Sequence, residues 1–70
     1  MQGKNFLTTR EREIFNLLVK NMDTEDIAEK LGISSKTVRN HISNVIQKLG
    51  LKSRSQALLE LIKMQEIILK

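Results

Sequence analysis

Lys36, Arg39, Asn40 and Ser43 are four hydrogen-bonding side chains between positions 36 and 43, with no carboxylate among them. If that stretch is helical, spacings of three, four and seven put all four on one face. Arg can donate two bonds to guanine and Asn can pair in bidentate fashion with adenine, each good pair giving roughly 1 to 3 kcal/mol of base discrimination. The chemistry of such a row is recognition of nucleobase edges, so Lys36, Arg39, Asn40 and Ser43 are the candidate base contacts. Asn44 and Gln47 continue the face but lie further from the groove floor. Lys48, Lys52 and Arg54 are better suited to phosphates, which position a protein without reading sequence. The Thr24, Ser34 and Thr37 hydroxyls, next to the exposed N–H groups at helix starts, can bind phosphate as well. His41 flanks an apolar stripe, where it fits a half-buried packing role with one phosphate bond better than a metal ligand or a pH switch. The plain alternative for the whole polar face is solubility.

Other chemistries find little support. There is no cysteine and only one histidine, which excludes disulfides and thiolate metal sites and argues against zinc or a catalytic constellation. A 70-residue chain is one small domain with a thin core, burying only about 60% of the surface its unfolded form exposes, so a deep enzyme pocket is not expected. No nucleophile, base and pocket converge, and no cofactor, metal or small-molecule ligand is implied. The segment MQGKNF lacks a long apolar run and no stretch approaches the roughly 18 apolar residues of a membrane span, so the chain reads as soluble and cytoplasmic, acting on the nucleoid.

Charge supports a polyanionic partner through its distribution more than through its total of +4. Glu11, Glu13, Asp23, Glu25, Asp26 and Glu29 are six of the eight acids, whereas residues 30 to 59 hold none and carry Lys30, Lys36, Arg39, Lys48, Lys52 and Arg54. Phosphates attract the second surface and are repelled by the first.

Four helical segments must position these groups. Residues 1 to 6 read as a flexible N-terminal segment and residues 7 to 70 as the domain. Thr8 and Glu11 form a capping-box pattern ahead of Ile14, Phe15, Leu17, Leu18 and Val19, with Asn21 as a stop near residue 20. Thr24 is the expected N-cap of a short second helix that buries Ile27, Ala28 and Leu31 and ends at Gly32. Ser34 opens the third helix, whose stripe Val38, Ile42, Val45, Ile46 and Leu49 runs to Gly50. Ser53 and Gln56 repeat the capping-box pattern and start a fourth helix expected to reach about Ile68.

The second and third segments meet the requirements of a helix-turn-helix unit. Ala28 allows close helix approach, Gly32 permits the backbone turn, and Val38 is a rigid core residue of the second helix, which in this motif lies in the DNA major groove. With Val38 and Ile42 inward, the base-contacting row points outward.

The blocks LTTREREIFNLL, DIAEKLGIS and KTVRNHISNVIQKLGLKSRSQA resemble the LuxR/GerE-type DNA-binding domain over about residues 7 to 65. The resemblance implies an all-α, four-helix helix-turn-helix fold that binds double-stranded DNA as a homodimer, with the third helix in the major groove and the fourth at the dimer contact. Carried over by position, Arg39, Asn40 and Ser43 fall where the family contacts bases. Asn21 and Met22 depart from the pattern, since many members have glycine after the first helix. Many members also carry a preceding receiver or ligand-binding domain, and this sequence reads as a stand-alone regulator.

Dimerisation has support of its own. Projected on a helix, Ala57, Leu61, Met64 and Ile68 make a core stripe and Leu58, Ile62 and Leu69 a second one, an apolar arc of roughly 160° where one core needs about 100°. Leu58, Ile62 and Leu69 are therefore the expected dimer interface. The function expected is sequence-specific transcription regulation through contacts with, or obstruction of, RNA polymerase. Competing readings are a sigma-factor-type promoter-binding region and a helical protein-interaction adaptor.

Overall fold

Each helix is started by a side chain and stopped by a residue with left-handed backbone. In the computed structural model, which describes residues 6–68, the helices are α1 Thr9–Leu18, α2 Thr24–Leu31, α3 Ser35–Leu49 and α4 Arg54–Lys63, with no strand among the described residues. The expected all-α, four-helix architecture is what the chain adopts.

Three of the four starts follow the sequence. Thr8 Oγ1 accepts the Glu11 N–H at 3.1 Å and Glu11 Oε1 accepts the Thr8 N–H at 3.0 Å, a complete capping box. Ser34 accepts the Thr37 N–H at 3.1 Å. Ser53 accepts the Gln56 N–H at 3.2 Å, but the return bond is one residue early, from the Lys52 N–H to Gln56 Oε1 at 3.0 Å, and so braces the α3–α4 linker. The exception is α2, where Asp23 and not Thr24 is the cap: its Oδ1 accepts the Asp26 N–H at 2.9 Å from an extended backbone. A carboxylate ranks above threonine at this position and is favoured by the helix dipole, so Thr24 becomes the first helical residue.

The stops share one geometry. Asn21, Gly32, Gly50 and Gln65 have φ between 63° and 71°, and each is followed by an N–H that reaches five residues back: Met22 to Leu17, Ile33 to Ala28, Leu51 to Ile46 and Glu66 to Leu61. This is the Schellman arrangement, which satisfies the last free carbonyls of a helix. The fourth stop shortens α4 to Lys63, against the expected end near Ile68. It also changes the phase of the chain. Met64 and Ile68, expected in the core, are 40% and 66% exposed, while Ile67 takes the buried place at 2%.

The core is formed by Ile14, Phe15, Leu17 and Leu18 of α1, Ile27 and Ala28 of α2, Val38, Ile42 and Val45 of α3, Ala57 and Leu61 of α4, with Leu7 and Ile67 closing its ends. α3 packs against all three other helices. Its β-branched residues cost a few tenths of a kcal/mol each in helix propensity, against roughly 1.5 to 3 kcal/mol for burying each side chain, so burial decides. Phe6 is half-buried against this core. The flexible segment expected at residues 1 to 6 lies, up to position 5, outside the described residues.

Candidate nucleic-acid interface

α2 and α3 are joined by Gly32, Ile33 and Ser34, and the turn depends on Gly32 at φ 71°. A Cβ there would meet nothing within 4 Å, so the requirement for glycine is conformational and not steric crowding. Ile33, half-buried against the core, and Ala28 then hold the two helices together.

This pins α3 with Val38, Ile42 and Val45 inward and Lys36, Arg39, Asn40, Ser43, Asn44 and Gln47 exposed. Among the described residues, the side chains of Lys36, Arg39, Asn40 and Ser43 make no hydrogen bond or ion pair with the rest of the chain. Their donors and acceptors are available on one exposed helix face.

The residues expected at phosphates are less uniform. Ser34 is exposed and Thr37 half-buried, and their hydroxyls are 2.9 Å apart at the α3 N-terminus. Lys52 and Arg54 are exposed where α3 gives way to α4 and carry no ion pair among the described residues. Thr24 is half-buried in a first helical turn that also holds Asp23, Glu25 and Asp26. His41 is half-buried, on the side of α3 whose charge acts on Glu11 of α1. Lys48 is already engaged: Nζ lies 2.7 Å from Glu11 Oε1, donates to the Phe6 carbonyl at 3.1 Å and stands 5.1 Å from the Phe6 ring centroid. Its partner Glu11 is buried. Burial by itself raises the Glu11 carboxyl, but the Lys48 bond, the Thr8 N–H and the charges of Lys48 and His41 together hold it below the ordinary carboxylate value.

Sequence patterning missed two features. Leu59 of α4 is 64% exposed and lies with half-buried Leu58 and Ile62 beside Leu18 and Val19 of α1. The same helical projection that picked Leu58 and Ile62 could have found Leu59. The second is Glu66, 9% exposed and paired with Arg12 at 2.9 Å; no local pattern marks it, because its partner is 54 residues away. Leu69, the third expected interface residue, lies outside the described residues.

The family model described as bacterial regulatory proteins, luxR family, matches residues 5–61. The chain belongs to this family. The luxR-family chain is 61% identical over 66 residues to the spore germination protein GerE of Bacillus subtilis, covering 94% of this chain and 89% of that protein. It is 44% identical to the transcriptional regulatory protein DegU of Brevibacillus brevis, covering 84% of this chain but only 25% of that longer protein. The solved structure of the transcription factor GerE superposes with a TM-score of 0.93 at 60% identity, over 96% of this chain and all of that one. This luxR-family chain is thus a GerE-like transcription regulator with a DNA-binding helix-turn-helix, and not an enzyme. No helix among the described residues is long and apolar enough to cross a membrane.

Proposed function

We propose that the chain is a cytoplasmic, sequence-specific regulator that binds duplex DNA as a homodimer, each copy laying α3 in the major groove, and that it acts on transcription through RNA polymerase. The observation that carries this is the unoccupied row Lys36, Arg39, Asn40 and Ser43, exposed on a helix whose opposite side is core. These four are the base contacts. Ser34, Thr37, Lys52 and Arg54 are phosphate contacts around them, with Thr24 and His41 at the margins. Lys48 reaches a phosphate only by exchanging its bond to Glu11.

Dimerisation through α4 is supported by Leu58, Leu59 and Ile62, an apolar surface wider than the core requires. Two copies of a domain 32 Å in its longest dimension can set their α3 helices about 34 Å apart, one turn of DNA. A two-fold protein then reads a two-fold site.

Selection of bound sequences from a random duplex pool, followed by a salt series on the winning site, tests the proposal. The expected outcome is a palindromic site whose affinity falls steeply with salt, as counterion release requires. A chain acting as a protein adaptor would enrich no sequence at any salt concentration, and that result would end the proposal.

A further inference from the structure

Phe6 is held from both sides. Its N–H donates to Glu66 Oε2 at 3.4 Å and its carbonyl accepts from Lys48 Nζ at 3.1 Å. Both outer groups are also tied to α1: Lys48 to Glu11 at 2.7 Å, and Glu66 to Arg12 at 2.9 Å, with Arg12 donating to the Glu66 backbone carbonyl as well. The two carboxylates are each 7% exposed at the side chain, while Lys48 and Arg12 are 36% and 33% exposed. A carboxylate buried to this degree requires its cation, so the two pairs fix geometry more than two surface pairs would.

The placement of the two anchors matters. Lys48 is in the last turn of α3 and Glu66 follows the end of α4 by three residues, so the Phe6 strap ties the far end of the proposed reading helix to the far end of the proposed dimer helix. The covalent link between those helices is only the short segment from Gly50 to Ser53. In a two-fold dimer, any change in the α3–α4 angle is applied twice, once in each copy, and so alters the separation of the two α3 helices more than the fit of either. Arg39 and Asn40 are about two turns of helix, roughly 12 to 14 Å, from Lys48.

We propose that Glu11 and Glu66 are positioning residues that set the spacing between half-sites the dimer accepts, while leaving base preference within each half-site to α3. This rests on the dimeric, major-groove reading above. Neither carboxylate touches DNA in that arrangement.

Wild type, Glu11→Gln and Glu66→Gln are compared by selection from duplex pools in which two half-sites are separated by variable spacers, with binding then measured on the selected spacing and on one base pair more or less. Gln at position 11 keeps the capping box and removes only the charge facing Lys48. The expected result is that wild type penalises a one-base-pair change and that each variant cuts this penalty about tenfold, equivalent to losing one charge-assisted hydrogen bond, with an unchanged half-site consensus. A role confined to stability would weaken all spacings alike and leave the penalty intact. Folded variants with the wild-type penalty overturn the proposal. So does a wild type that binds paired half-sites equally at every spacing, whereas a wild type that enriches no paired site at all removes the dimer reading itself and this proposal with it. If Glu66→Gln does not fold, Glu66→Asp, which keeps the charge but shortens the reach to Phe6, is read by the same criterion.

Discussion

Arg39 and Asn40 stand on α3 with exposed side chains and no protein partner among the described residues, so truncating either removes nothing from the folded domain. Arg39→Ala should therefore leave the melting temperature unchanged and lower discrimination at one base position by roughly 1 to 3 kcal/mol, measured as binding to the selected site and its single-base variants. A uniform loss across all sequences would make Arg39 a phosphate contact instead. Glu11 is the opposite kind of residue, buried and paired. Its carboxyl is depressed in the folded state, so the stability it contributes is present above the ordinary carboxylate value and is lost as pH falls through the lower, folded-state value. Thermal melts taken from neutral pH down through the carboxylate range should show this loss in the wild type and a flatter profile in Glu11→Gln. The outward row was legible in the sequence because helical periodicity alone decides which side of α3 faces the core. Lys48 was not, since the partner that holds it is 37 residues away and no local pattern can announce such a meeting.

The four helix ends show how far local sequence specifies an element. Gly32, Gly50 and Asn21 are residue types that adopt left-handed backbone readily, and the helices they stop end close to where the sequence indicates. Gln65 adopts the same conformation without that preference, which is why α4 reads as longer than it is. At the first three stops the residue after the left-handed one is apolar, as the motif favours; at the fourth it is Glu66, held in place by Arg12. A tertiary ion pair thus stands at the stop of α4, where residue type gives no signal. Two substitutions separate these cases. Gly32→Ala should destabilise by roughly 1 to 2 kcal/mol, lowering the melting temperature by about 4 to 8 °C per kcal/mol, purely through backbone strain since the added methyl meets no neighbour. Gln65→Gly should raise the melting temperature modestly, by a few tenths of a kcal/mol to about 1 kcal/mol, because relief of the left-handed side chain exceeds glycine's extra freedom in the unfolded chain. The Asp23 cap was missed for a simpler reason: two adjacent residues could each cap, and the carboxylate wins.

At the scale of the molecule, six of the eight acids lie on or beside the first two helices, while Lys36, Arg39, Lys52 and Arg54, which carry no ion pair among the described residues, lie on the third helix and its exit; this orients the domain toward a polyanion before any contact forms. The same view isolates the apolar α4 surface. Leu59 is 64% exposed, so Leu59→Glu should leave the fold intact while shifting sedimentation at matched concentration toward the monomer and weakening binding to a two-fold site more than to a single half-site. An unchanged sedimentation profile would count against α4 as the contact.

The clasp between Arg12 and Glu66 joins positions 54 apart, whereas the caps and stops of each helix are satisfied within a few residues. Closing so long a loop costs more chain entropy than any helical turn, so the clasp should form after the barrier to folding has been crossed. Stopped-flow measurements on Glu66→Gln should then find the refolding rate close to that of the wild type and the unfolding rate faster, with the lost stability appearing almost wholly in the latter. The contact would act as a latch on the lifetime of the native state and contribute little to the speed of reaching it.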